Sequence, residues 1–176
     1  MVMKKRKFKA VFFDLDHTLW DFEVNSEETI TGLLQEHGIL GNQIAEAGDF
    51  MGFYRSINKE LWDRYHANAI TKEELRVWRF SHSFRKFGIE DHDLSLLFAD
   101  KYLEICPGKT ALFPGAIDSL EALIKDHSLH IITNGFKEVQ YRKLKNSGLI
   151  RYFEKVHISE EIGWKKPEPE IFHYAL

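Results

Sequence analysis

The sequence predicts an α/β protein built on a parallel sheet and carrying an all-helical insertion. Three observations predict it: short apolar segments that each end in a polar turn, a helical stretch of crossover length between the last two of them, and a long middle portion with helical periodicity and no convincing strand.

Residues 8–15 are apolar and aromatic-rich, as a strand covered on both sheet faces should be, and they run into the turn Asp16-His17-Thr18. A second strand at 129–132 runs into Thr133-Asn134-Gly135, and a weaker third at 155–158 is followed by Ser159-Glu160-Glu161. Between the last two lies a helical stretch at 137–146 closed by Gly148, the spacing of a right-handed strand-helix-strand crossover. In the middle portion, helices are expected at 26–37, 44–66, 72–87 and 91–104, with breaks at Gly38 and Gly41, at 68–71 and at Gly88. Thr71 with Glu74 predicts a capping box. A helix at 115–126, entered through Phe113-Pro114-Gly115, returns the chain to the sheet.

The chain of 176 residues is 44% hydrophobic, enough to bury a core, and fits one domain or one domain with an insertion. Lys and Arg total 24 against 27 Asp and Glu, a formal charge of -3, which argues against a nucleic-acid polymer or an anionic membrane as partner and for a small molecule. The single cysteine, Cys106, forms no internal disulfide and has no neighbour in sequence that would lower its pKa, so the expectation is a reducing cytoplasm and no catalytic thiol. The basic start, 1–9, precedes an apolar run too short for a signal peptide or a membrane span and reads as a solvated lead-in. The nine histidines show no ligand spacing on a convincing helix face.

Asp14 and Asp16 are the strongest chemical signal. Two carboxylates one residue apart at the end of an apolar strand sit where open parallel sheets bind ligands, beyond the carboxyl ends of the strands. The turn that begins at Asp16 can swing its side chain away from that of Asp14, giving each a different task. A bare pair of this kind is about as often a strand-end turn whose aspartates bond backbone amides.

Asp14-Leu15-Asp16-His17-Thr18, then Thr133-Asn134-Gly135, then Lys165-Lys166-Pro167 resemble the first three signature motifs of the haloacid dehalogenase superfamily. Their order, their strand-end positions and the helical insertion directly after the first motif all agree. Further segments, among them Leu61-Trp62, Ala69-Ile70-Thr71, Phe113-Pro114-Gly115-Ala116 and Ile158-Ser159-Glu160-Glu161-Ile162-Gly163, resemble the bacterial pyrimidine 5′-nucleotidases of that superfamily. The resemblance implies a Rossmannoid parallel core at 1–20 and 108–176 with a helical cap of the C1 type at 21–107.

By that resemblance Asp14 is the nucleophile that forms an aspartyl-phosphate, and Asp16 the general acid and base. Mg²⁺ is held by the Asp14 carboxylate and the Asp16 backbone carbonyl. Thr133 and Asn134 bind phosphoryl oxygens, and Lys166, directly before proline, neutralises phosphate and nucleophile, with Lys165 as the adjacent alternative. Thr18, Trp20 and Asn25 join Thr133, Asn134 and Lys166 as substrate contacts. His17 either contacts the phosphate or stabilises the turn. Trp62, Tyr65 and His66 either meet a base or sugar or pack the cap, which as a lid carries specificity.

The superfamily's fourth motif, an acidic loop that completes the magnesium shell, is absent, and the chain stops at Ala175-Leu176 inside the helix expected after Lys166-Pro167. Glu160 and Glu161 lie in a different motif but are the acidic residues left to substitute. The expectation is therefore a core truncated at the C-terminus. The function implied is Mg²⁺-dependent hydrolysis of a phosphate monoester, a pyrimidine nucleoside 5′-monophosphate first. The alternatives are a sugar-phosphate phosphatase or phosphomutase, a 2-haloacid dehalogenase, against which Asp16 argues, and an inactive fragment that pairs as a homodimer through its open sheet edge.

Overall fold

The computed structural model describes residues 8–176. Of the basic lead-in expected at 1–9, all but Phe8 and Lys9 lies outside the described residues. The chain begins with strand β1 (Ala10–Phe13) and continues through helices α1 (Phe22–Glu36), α2 (Ala47–His66), α3 (Lys72–Arg85) and α4 (His92–Ile105). Then follow α5 (Ala116–Leu123), β2 (Ser128–Thr133), α6 (Lys137–Asn146), β3 (Lys155–Ile158) and the short helices α7 (Ser159–Ile162) and α8 (Pro169–Ala175).

These elements form two compact units, an α/β unit of the residues up to Asn25 with Pro107–Leu176, and a helical unit, Ser26–Cys106. The division falls at Asn25 and not at the expected 20/21, because the segment after β1 is bonded into the α/β unit. The Phe113 amide donates to the Leu19 carbonyl at 3.0 Å, the Asp21 amide to the Ala111 carbonyl at 3.0 Å, and the Trp20 indole to the Lys109 carbonyl at 3.1 Å.

In the α/β unit, β2 lies between β1 and β3, and both pairings are parallel. Leu129 to Thr133 are all buried, as a central strand covered on both faces requires. Phe12 lies opposite His130, and Thr133 opposite Ile158. Because the strands are parallel, Asp14, Asn134 and Ser159 all leave the same edge of the sheet. The strand expected at 8–15 ends at Phe13, since Leu15 has already left the ladder. Its amide bonds the Asp14 carboxylate at 2.8 Å, and its carbonyl receives the amides of Leu19 and Trp20, each at 3.0 Å.

Helix α6 forms where expected, but Phe136 at its N-cap has no side chain that can accept a hydrogen bond. The orphan amide of Lys137 is met from elsewhere, by Glu160 Oε2 at 2.7 Å, and Glu161 pairs with the Lys137 ammonium at 2.9 Å.

The helical unit buries Phe50, Tyr54, Phe80, Phe84, Phe98 and Tyr102, with the Phe84 and Phe98 rings edge to face at 4.9 Å. The Thr71 capping box is present, with Glu74 N–H donating to Thr71 Oγ1 at 3.1 Å and Thr71 N–H to Glu74 Oε2 at 2.7 Å. Helix α1 starts at Phe22, four residues earlier than expected, because the Asp21 carboxylate accepts the Val24 amide and caps it. Trp62, Tyr65 and His66 are half-buried and pack against one another at the end of α2, Trp62 edge to face with Tyr65 and both tilted against His66. Among the described residues no helix is long and apolar enough to cross a membrane.

Candidate active site

The site is built at the carboxyl edge of the sheet, from side chains of the α/β unit. Asp14 follows β1, and one carboxylate oxygen accepts the Leu15 amide while the other lies 2.8 Å from the Lys166 ammonium. This ion pair is accessible, with Asp14 44% and Lys166 23% exposed on their side chains, so solvent screens it and a ligand can reach it.

Lys166 is held by its backbone. Asn134, one residue past β2, accepts the Lys166 amide at 2.8 Å through Oδ1 and donates to the Lys166 carbonyl at 2.9 Å through Nδ2. The segment carrying Lys166 is thereby fastened to the turn after β2, and its ammonium is delivered to Asp14. Lys165 spends its amide on Glu168 at 3.0 Å; the lysine brought to Asp14 is Lys166.

Asp16 turns toward α6. Its Oδ1 receives the Lys143 ammonium at 2.6 Å, and its Oδ2 receives the Gln140 amide at 2.9 Å. The same Gln140 nitrogen donates to Thr133 Oγ1 at 2.6 Å, so motif turns distant in sequence meet on one side chain. His17 holds the turn with φ of 59°, a left-handed conformation that histidine tolerates better than branched residues, and its ring packs on Phe22 at 4.9 Å.

Four of the expected residues thus meet in two pairs at this edge, Asp14 with Lys166 directly and Asp16 with Thr133 through Gln140, and Asn134 is a brace for Lys166. Thr18 sits exposed in the turn, its amide donating to the Leu15 carbonyl at 3.4 Å. Trp20 and Asn25 are corrections. Both are fully buried, Trp20 beneath the Lys143 ammonium at 4.3 Å from its ring, and Asn25 bonded to the Asp21 carbonyl and to both backbone groups of Ala111. Their polar atoms are committed within the protein, so they brace the site and do not face a substrate.

Gln140 and Lys143 carry no signal in an apolar-periodicity reading, because both are polar. Their spacing of three, followed by Leu144, nevertheless places them on one buried face of α6.

The donors suit a cation of magnesium's preferences. Mg²⁺ binds through one or two carboxylate or carbonyl oxygens and keeps several waters. The Asp14 carboxylate is exposed, and the Asp16 carbonyl accepts no backbone hydrogen bond among the described residues. Among the described residues no three His, Cys, Asp or Glu side chains converge. Glu160 and Glu161, the candidate substitutes for a further ligand, are both engaged at the start of α6.

Comparison with known proteins agrees with this arrangement. The sequence model of the haloacid dehalogenase-like hydrolases matches residues 8–176. The chain is 37% identical over 162 residues to the pyrimidine 5′-nucleotidase PynA of Streptococcus pneumoniae, covering 92% of this chain and 65% of that protein. It is 36% identical to the pyrimidine 5′-nucleotidase YjjG of Escherichia coli, covering 97% of this chain and 71% of the relative. In three dimensions it is similar to the hydrolase YfnB of Bacillus subtilis, solved with bound magnesium, with a TM-score of 0.84 and 29% identity over 97% of this chain and 73% of that one. The chain thus spans about two thirds of the length of these relatives, and over that span, with the acidic turn, the Thr-Asn-Gly turn and the lysine in place, it belongs to the haloacid dehalogenase-like hydrolases.

Proposed function

We propose that the protein hydrolyses phosphate monoesters through an aspartyl-phosphate on Asp14, with pyrimidine nucleoside 5′-monophosphates as substrates. The observation that carries this reading is the Lys166 ammonium 2.8 Å from an exposed Asp14 carboxylate, beside a second carboxylate held by separate donors. A phosphoryl group entering there meets a cation, a nucleophile and an acid-base group at one sheet edge.

In the first step an Asp14 oxygen attacks phosphorus in line and the bond to the ester oxygen breaks. Asp16 supplies the proton that the departing alkoxide needs. In the second step water attacks phosphorus, Asp16 takes its proton, the bond to Asp14 breaks, and orthophosphate leaves. Lys166 balances charge on the phosphoryl oxygens and keeps the nucleophile oriented, while Thr133 donates its hydroxyl to one of those oxygens. Mg²⁺, held by the Asp14 carboxylate and the Asp16 carbonyl, would neutralise the repulsion between carboxylate and phosphate. The helical unit Ser26–Cys106 is proposed as the cap.

The substrate class rests on the two nucleotidase relatives. It is tested by measuring kcat/KM for phosphate release from pyrimidine and purine monophosphates and from sugar phosphates. Pyrimidine monophosphates are expected to lead, and a sugar phosphate in first place would replace this assignment with another phosphatase.

A further inference from the structure

We infer that Gln140 and Lys143 are positioning residues of this site, with Lys143 and Gln140 fixing the Asp16 carboxylate and Gln140 also setting the direction in which Thr133 donates. The inference rests on the roles proposed above for Asp16 and Thr133.

Gln140 is wholly buried and Lys143 is 4% exposed, so each must find partners inside the protein. Lys143 finds the Asp16 carboxylate at 2.6 Å and the face of Trp20 at 4.3 Å, with Phe22 at 5.6 Å. Gln140 spends both hydrogens of its amide nitrogen, one on Asp16 Oδ2 at 2.9 Å and one on Thr133 Oγ1 at 2.6 Å. Exchanging its oxygen and nitrogen would set a carbonyl against a carboxylate, which fixes the orientation. In that orientation Gln140 Oε1 is buried and meets no donor among the described residues. A glutamine serving only to fill the core would not leave an acceptor orphaned in this way.

The consequence falls on Thr133. Its oxygen accepts from Gln140 and, at 3.2 Å, from the Gly135 amide. A hydroxyl oxygen accepts two hydrogen bonds, so with both taken its own hydrogen is committed to donation. That is the polarity a phosphoryl oxygen requires.

Gly135 makes the approach possible. A Cβ there would lie 2.3 Å from Gln140 Nε2. The third residue of the Thr-Asn-Gly turn therefore lacks a side chain to leave room for the amide above it.

At Asp16 the two donors meet both carboxylate oxygens. When Asp16 gives its proton to the leaving group, negative charge develops where Lys143 and Gln140 already point, and their hydrogen bonds strengthen without rearrangement.

The test uses uridine 5′-monophosphate, whose alkoxide must be protonated to leave, and p-nitrophenyl phosphate, whose phenolate leaves without a proton. In Lys143→Met, turnover of the nucleotide is expected to fall about 100-fold, while the burst of p-nitrophenolate from the first step changes less than about threefold; Gln140→Leu, which also releases Thr133, is expected to lose on both substrates, the nucleotide about tenfold more. Lys143→Arg, which keeps a cation, is expected to restore most of the nucleotide activity, and it carries the test if Lys143→Met does not fold. Equal losses on both substrates would overturn the inference and leave the hydrolase reading standing. A wild type inactive on both would overturn the hydrolase reading and this inference with it.

Discussion

The side-chain amide of Asn134 grips the backbone of Lys166 at both ends, accepting its N–H at 2.8 Å and donating to its carbonyl at 2.9 Å. Two segments 32 residues apart are joined by this pair, and the Lys166 ammonium is carried to Asp14 by it. Replacing Asn134 with alanine is expected to lower kcat/KM about tenfold or more, because small misplacements of a charged group cost rate steeply. Lys166→Met, which removes the charge itself, is expected to cost about 100-fold or more. Steady-state phosphate release by the two variants checks the order, and a larger loss in Asn134→Ala than in Lys166→Met would contradict it.

Gly135→Ala tests the contact between the turn and Gln140. The added methyl would lie 2.3 Å from Nε2 and 2.9 Å from Cγ of a buried side chain, so Gln140 must shift as a whole. The displaced amide abandons Asp16 and Thr133 together, and the stability cost is expected to be about 2 kcal/mol. Activity is expected to fall to the level of Gln140→Leu, and activity kept at the wild-type level would contradict the contact.

Asn25→Ala is expected to cost stability without a matching loss of activity in the protein that remains folded. Asn25 is buried and satisfies both the amide and the carbonyl of Ala111, and its loss leaves those groups unpaired at a cost of about 2 kcal/mol. The melting temperature should drop by roughly 4–8 °C. A Michaelis constant for substrate that rises with no change in melting temperature would restore the substrate contact that the sequence suggested.

The sheet should also weaken in acid. Burial, then the neighbouring His130, then Lys155, push the His157 imidazole below its ordinary range. The folded protein therefore prefers neutral His157, and the unfolded chain takes up the proton first as pH falls through about 6.5. Stability contributed by this group is complete above that pH and declines below it. His157→Phe, which can pack between Phe12 and Tyr174 without a proton to bind, is expected to flatten the fall in melting temperature between pH 7 and pH 5. An unchanged slope would assign the acid sensitivity to other groups.

Much of this architecture was legible in the residues because local signals agreed with the tertiary solution. Helix α6 begins and ends at the expected residues, and the Thr71 box caps α3. The parallel sheet follows from apolar strands separated by a helix of crossover length. Asp14 and Lys166 could be named from motifs, and both stand at the carboxyl edge. The burial of Trp20 and Asn25 was not legible, because it is decided by partners at Lys109 and Ala111, more than eighty residues away in sequence. Gln140 and Lys143 escaped notice for the opposite reason. Polar residues on a helix read as solvent-facing until the carboxylate and hydroxyl that recruit them inward are seen in place.

The most direct test of the central claim is phosphate release from uridine 5′-monophosphate by the wild type and by Asp14→Asn, each with magnesium and with EDTA. The expected result is release by the wild type with magnesium alone, and none by the variant. Activity retained by Asp14→Asn, or left intact in EDTA, would contradict the assignment of Asp14 as a magnesium-assisted nucleophile.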